Sequence, residues 1–196
     1  MKVIAKFLTS AVDAEHFPLP AAPEIAFLGR SNVGKSSLLN SLIGTNLARV
    51  SNTPGRTQMI NFFAIHLSQN LSKPPEVIFA DLPGYGYAKV PLEIMGKWSK
   101  FVDPYLAERE CLQLCFCLVD ASIAPQRSDR QLIEWLRKAR REYQIVATKA
   151  DRLSGNKLKE SLKALEQEFG AKPMIYSSKT GAGKDELWKV IREQLA

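Results

Sequence analysis

Short apolar runs alternate with helix-spaced apolar positions along most of this chain. "EIAFLG" (Glu24 to Gly29), "LQLCFCLVD" (Leu112 to Asp120), "QIVATK" and "PMIYSS" are largely apolar stretches of strand length. Such runs mark strands buried on both faces. "INFFAIHL" and "EVIFADL" read as two more strands, separated by "SQNLSKPP", whose paired prolines signal a turn. A helix is predicted from about Lys35 to Leu42, and another over "QLIEWLRKARR". Leu158, Leu162, Leu165 and Phe169 then recur at helical spacing, with Gly170 as a stop. Leu187, Trp188 and Ile191 mark a final helix. Strands alternating with helices predict an α/β fold: a mainly parallel six-stranded sheet with helices on both faces. Residues 1–21, with the Pro- and Ala-rich lead-in "HFPLPAAPE", read as an N-terminal extension to one domain over 22–196. Ligands of such sheets bind beyond the carboxyl ends of the strands, and every unusual stretch of this chain falls there.

Bulk properties change the picture only slightly. The 196 residues are 45% hydrophobic and 24% charged, an ordinary globular balance. The net charge of +7 suggests a polyanionic partner. No apolar run approaches the ~18 residues of a membrane span, so no membrane association is expected. Lys6 interrupts "MKVIAKFLTS" before a signal-peptide core can form. Cys111, Cys115 and Cys117 are odd in number and fall in one apolar segment without a nearby histidine. Core packing in a reducing cytoplasm fits them better than metal binding. His16 and His66 have no evident catalytic partner.

The strand-end loops carry the chemistry. "GRSNVGKS", Gly29 to Ser36, matches the phosphate-loop pattern G-x-x-x-x-G-K-[ST], with a strand before it and a helix after. Glycines let successive N–H groups curl around a phosphate, and the helix N-terminus adds partial positive charge. Gly29, Arg30, Ser31, Asn32, Val33, Gly34, Lys35, Ser36 and Ser37 are the expected nucleotide-binding residues here. Lys35 is expected to reach the terminal phosphates, and the Ser36 hydroxyl to bind Mg²⁺. Asp81 closes a strand and opens D-x-x-G, completed by Gly84. Its carboxylate suits a Mg²⁺ ion that keeps part of its water shell, and the Gly84 N–H suits the γ-phosphate. In "SNTPGRTQ", Thr57 is the expected second hydroxyl for Mg²⁺, ordering its loop while the γ-phosphate is present. The catalytic set read from the sequence is Lys35, Thr57 and Gly84. "TKAD" supplies Thr148, Lys149 and Asp151. A carboxylate at Asp151 accepts from guanine N1–H and N2, donors that adenine does not offer. Lys149 is expected to lie along the base, and Ser177, Ser178 and Lys179 to close over its other edge. Guanine nucleotide is the ligand these loops predict.

Taken together, these residues resemble the translation-factor-related GTPases, and more narrowly the EngB (YihA/YsxC) family of bacterial ribosome-biogenesis GTPases. The resemblance runs from about Ala22 to the C-terminus. It rests on "GRSNVGKSSLLNSL", "SNTPGRTQMINFF", "DLPGYGYAKV", "TKAD", "SSKTGAG" and the closing "ELW". Thr148, where most GTPases carry asparagine, is usual for this family. Near Ser122 the family usually carries arginine. The resemblance implies a Ras-like, Mg²⁺-dependent GTPase that switches conformation in assembly of the large (50S) ribosomal subunit. It also implies a cytoplasmic monomer with that subunit and its rRNA as partners.

Where Ras-type enzymes place a water-orienting glutamine, directly after D-x-x-G, this chain has Tyr85. A phenol with a pKa near ~10 is a poor base at neutral pH. Tyr85 and Tyr87 therefore read as non-catalytic side chains of a mobile loop, packed on the domain or facing a partner. Intrinsic turnover is expected to be slow, ~10⁻⁴–10⁻² s⁻¹. Asn32 has two readings: a K⁺ ligand offsetting phosphate charge, as in related K⁺-activated GTPases, or a loop-stabilising hydrogen bond.

"RSDRQLIEWLRKARR" holds six basic and two acidic residues. Leu132, Trp135, Leu136 and Ala139 form its apolar stripe, leaving Arg130, Arg137, Lys138, Arg140 and Arg141 outward. That face is either a solvated helix surface or an rRNA-phosphate contact, which Lys89, Lys97 and Lys100 would extend. Two other functions remain open on sequence: a P-loop small-molecule kinase and a non-hydrolysing, GTP-dependent RNA-binding module.

Overall fold

The computed structural model describes residues 3–48, 59–68, 70–85 and 102–195. In chain order its elements are β1 (Ile4–Ala11), β2 (Glu24–Gly29), α1 (Lys35–Ile43), β3 (Ile60–His66) and β4 (Val77–Asp81). They continue with α2 (helical over 102–108), β5 (Leu112–Asp120), α3 (Arg127–Lys138) and β6 (Tyr143–Thr148). The series ends with α4 (Gly155–Phe169), β7 (Met174–Ile175) and α5 (Lys184–Glu193). One sheet runs β1-β3-β4-β2-β5-β6-β7. Strands β4, β2, β5, β6 and β7 are mutually parallel, and β3 pairs antiparallel with both β1 and β4.

The alternation of β2 divides the core. Ile25 and Phe27 face a cluster built with Leu38, Leu39 and Leu42 of α1 and Leu187, Trp188 and Ile191 of α5. Ala26 and Leu28 face the opposite cluster, with Tyr105 and Leu106 of α2 and Leu136 of α3. Both faces are dry, which is why β2 reads as an unbroken apolar run. Aromatic contacts tie the first face together: the Phe27 and Phe79 rings meet edge-on at 4.9 Å, and Phe79 and Trp188 at a tilt at 5.8 Å. Strand parity also places Cys115 and Cys117 together, both buried beside Ala26 and Leu28. A third cluster under α4 holds Leu165 and Phe169, and Gly170 ends that helix at φ 63°.

Among the described residues the sheet has seven strands, not six. The additional strand is β1, which lies within residues 1–21, read from sequence as an extension. It is an edge strand with Phe7 54% exposed and a register shift between Phe7 and Thr9. A half-exposed edge needs no continuous apolar run, and Lys6 breaks what pattern there is. Among the described residues, no helix is long and apolar enough to cross a membrane.

Candidate nucleotide and phosphate site

Because β2, β4, β5, β6 and β7 run in one direction, their carboxyl ends share one edge of the sheet. Residues 29–37, Asp81 to Gly84, Thr148 to Asp151 and Ser177 to Lys179 all follow these strand ends.

The phosphate loop turns directly from β2 into α1. Val33 is buried in the core and donates its N–H to the Arg30 carbonyl at 3.1 Å. Gly34 caps α1 at φ 104°, a left-handed conformation that L side chains resist. Lys35 and Ser36 thus open the helix, where unpaired N–H groups suit an anion. The Lys35 ammonium is ion-paired with Asp81, the last residue of β4. The side chains assigned to the terminal phosphates and to the metal are therefore brought together. Asn32 is exposed with φ 63°, which gives an asparagine here a backbone reason of its own.

Gly84 lies against this loop. A Cβ there would come within 3.1 Å of Ser31 N and Cα. Tyr85 donates its N–H to the Gly29 carbonyl at 3.3 Å, and its carbonyl accepts from Ser31 N–H at 3.1 Å. The Tyr85 ring is packed against the α2–α3 core cluster. Its hydroxyl donates to Asp129 at 3.2 Å, and burial pushes the phenol well above its ordinary pKa. Tyr85 thus packs on the domain and is no general base. Thr57, Gly86, Tyr87, Lys89, Lys97 and Lys100 lie outside the described residues.

The loop from Thr148 to Asp151 is tied to the phosphate loop. The Thr148 hydroxyl donates to the Val33 carbonyl at 2.7 Å and lies 3.0 Å from the Val119 carbonyl. Lys149 has left-handed backbone at φ 58°, and its ammonium bonds Asp120 at 2.6 Å. A non-glycine residue in that conformation is a strain that recurs at functional sites. Asp120, which closes β5, was not singled out from sequence, although it ends an apolar strand as Asp81 does. Its other oxygen accepts from the Ser122 N–H and hydroxyl at 2.9 and 2.6 Å. Burial opposes ionisation of Asp120, but the bonds from Lys149 and Ser122 together hold its pKa below the usual value. Asp151 is exposed and accepts from the Ser177 hydroxyl at 2.6 Å, which lowers its pKa. It is therefore a carboxylate at neutral pH, as bidentate acceptance from guanine requires. Ser178 and Lys179 are exposed beside it.

The basic helix is less free than its sequence suggests. Arg130 is ion-paired with Glu168. Arg137 donates to the Tyr143 hydroxyl at 2.8 Å and to the Phe169 carbonyl, and Arg141 donates to the Leu106 carbonyl. Lys138 and Arg140 are exposed. Ile133, absent from the expected stripe, is buried with Leu136.

Comparison with known proteins identifies the family. The model of a family described as 50S ribosome-binding GTPase matches residues 24–149. The chain is 52% identical over 195 residues to "Probable GTP-binding protein EngB" of Koribacter versatilis, covering 98% of this chain and 95% of that one. It is 56% identical over 200 residues to the protein of the same name from Acidobacterium capsulatum, covering 100% and 93%. A solved structure titled "Crystal structure of a probable GTP-binding protein engB" superposes with a TM-score of 0.68 over 88% of this chain and 98% of that one. Its 22% identity makes it a likeness of fold. With a Ras-like P-loop fold and this similarity over nearly its whole length, the chain belongs to the EngB family of GTP-binding proteins and is a GTPase.

Proposed function

We propose that this protein hydrolyses GTP to GDP and phosphate as a Mg²⁺-dependent conformational switch in assembly of the large ribosomal subunit, acting as a cytoplasmic monomer. The observation that carries the reading is the joining of three loops: Lys35 pairs with Asp81, Gly84 rests on Ser31, and Thr148 bonds Val33. The same loops on a small-molecule kinase would not need the guanine acceptor Asp151. The family's description, 50S ribosome-binding GTPase, supports the ribosomal partner. The net charge of +7 suits an rRNA surface.

The Mg²⁺ assignment fits the donor set. Asp81 and Ser36 offer hard oxygens beside Lys35, and Mg²⁺ characteristically takes one or two carboxylates together with substrate phosphates and water. Thr57 is the further hydroxyl assigned to it. Bound there, Mg²⁺ supplies charge compensation for the phosphates. Lys35 holds the terminal phosphates, the phosphate-loop N–H groups cradle them, and Gly84 N–H registers the γ-phosphate. Asp151 reads guanine while Lys149, held by Asp120, lies along the base. With Tyr85 bonded to Asp129, catalysis rests on positioning and charge, and Asn32 is the proposed ligand for K⁺ in that role. Equal phosphate release in KCl and NaCl would remove K⁺ from the scheme.

The test is co-sedimentation with large ribosomal subunits across a salt series, comparing GDP with a non-hydrolysable GTP analogue, alongside multiple-turnover phosphate release. Pelleting that depends on the γ-phosphate, with slow release, is the expected result. Pelleting indifferent to nucleotide would sink the switch. For base reading, Asp151→Asn is expected to shift preference from GTP to xanthosine triphosphate.

A further inference from the structure

Asp129 stands outside every nucleotide-binding motif, yet its side chain is 2% exposed and reaches that site through two neighbours. It lies in the first turn of α3, where its Oδ2 accepts from the Gln126 backbone N–H at 3.3 Å. The carboxylate is thereby fixed to the helix end. Its Oδ1 accepts from the Tyr85 hydroxyl at 3.2 Å and lies 3.3 Å from Arg30 Nε. Tyr85 directly follows Gly84, and Arg30 directly follows Gly29. One buried carboxylate therefore touches the D-x-x-G loop and the phosphate loop together.

The backbone repeats this join. Tyr85 N–H donates to the Gly29 carbonyl at 3.3 Å, and Ser31 N–H to the Tyr85 carbonyl at 3.1 Å. Gly84 is seated so closely on Ser31 that a Cβ would meet it at 3.1 Å. A glycine peptide has many alternative conformations, and a docked one binds better when its neighbour is anchored. The anchor here is the Tyr85 hydroxyl on Asp129.

We propose that Asp129 is a positioning residue: through Tyr85 it holds Gly84 against the phosphate loop, so that a γ-phosphate meets a pre-set N–H. The inference deepens the proposed switch and rests on Gly84 as its γ-phosphate contact. GDP lacks that phosphate, so loss of the anchor should weaken a GTP analogue selectively. It also explains why a tyrosine sits where other GTPases place glutamine: the side chain serves the loop and not the water.

The experiment uses the full chain and its Tyr85→Phe, Asp129→Asn and doubly substituted forms. Affinities for fluorescent GDP and a fluorescent non-hydrolysable GTP analogue are measured, together with thermal midpoints. Tyr85→Phe removes one oxygen and Asp129→Asn preserves volume, so both are expected to fold. Tyr85→Phe should weaken the analogue about tenfold or more while GDP affinity moves less than about twofold, the loss of one hydrogen bond to a charged group. Asp129→Asn, whose amide oxygen still accepts from the Tyr85 hydroxyl but carries no charge, should weaken it in the same direction and by less. The double variant should lose no more than the larger single loss, because both act through one bond. Equal losses for both nucleotides, an unchanged ratio, tighter analogue binding, or additive losses would each overturn the proposal. Phosphate release by the unmodified protein is followed in parallel. Normal release with an unchanged ratio would sink the Asp129 role alone. A shifted ratio without release would keep that role and sink the proposed hydrolysis.

Discussion

Glu24 opens the central strand β2, five residues before the phosphate loop, and is fully buried. Arg109, just beyond α2, answers it with Nη2 at 2.6 Å from Oε1 and Nε at 3.2 Å from both oxygens. Tyr105 donates its hydroxyl to Oε2 at 2.8 Å. The same guanidinium bonds the Pro18 carbonyl at 2.7 Å and lies over the Phe17 ring at 5.8 Å. One ion pair thus fastens the lead-in segment and the end of α2 to the start of β2. Arg109→Met keeps most of the stem but leaves the carboxylate without its cation, facing only the neutral Tyr105 hydroxyl and Cys111 thiol. Breaking a buried pair from one side costs about 3–5 kcal/mol. At roughly 2–4 °C per kcal/mol for a chain of this size, the midpoint should fall by roughly 6–20 °C. Urea denaturation followed by circular dichroism measures the loss directly. The controlling comparison is Glu24→Gln with Arg109→Met: an uncharged pair should recover most of the stability, because the dominant cost is the stranded charge. A loss below about 1 kcal/mol for Arg109→Met, within the range of an exposed pair, would refute the reasoning. So would a double variant no more stable than the single one.

Three further outcomes are expected. Thr148→Val keeps the shape but removes the donor to the Val33 carbonyl, so GDP and GTP affinities should both fall, roughly tenfold, by equilibrium titration. A loss confined to one nucleotide would contradict this link between loops. Arg137→Glu should destabilise the fold by about 2–3 kcal/mol through lost bonds to Phe169 and Tyr143, whereas Lys138→Glu with Arg140→Glu should stay within about 0.5 kcal/mol. The latter pair is therefore the informative probe of ribosome binding, and unchanged pelleting would return α3 to a solvated face. Burial pushes the Cys115 thiol up to about 12 and the half-buried Cys111 thiol up to about 11. A folded-state pKa above the unfolded value means the unfolded chain loses its protons first, so this stability is present below pH ~9 and lost as pH rises. Denaturation between pH 8 and 11 should show that decline, and thiol alkylation of the native chain at pH 8 should be slow.

How much of this could be read beforehand depended on how many residues carried each signal. β2, β5 and β6 were legible because burial on both faces forces a run of apolar residues, visible without knowing the partner strands. β7 is only Met174 and Ile175, shorter than the apolar run "PMIYSS" suggested. β1 escaped notice because an edge strand with Phe7 and Leu8 partly exposed has no dry face to advertise. The G-x-x-x-x-G-K-[ST] and T-K-x-D patterns stand out for a similar reason: each concentrates its signal within a few consecutive positions.

Asp120 and Asp129 show what such reading misses. Each does its work on a partner far along the chain: Lys149 is 29 residues from Asp120, and Tyr85 is 44 from Asp129. In sequence, Asp129 is one acid in a basic helix, indistinguishable from a solvent-facing charge. The fold buries it because Arg30 and Tyr85 arrive from two strand ends and the first turn of α3 supplies the third side. An acid so enclosed joins the first turn of α3 to the segments that carry Gly84 and Gly29. A ribosomal partner resting on Lys138 or Arg140 would bear on the helix that positions Tyr85 without meeting the nucleotide itself.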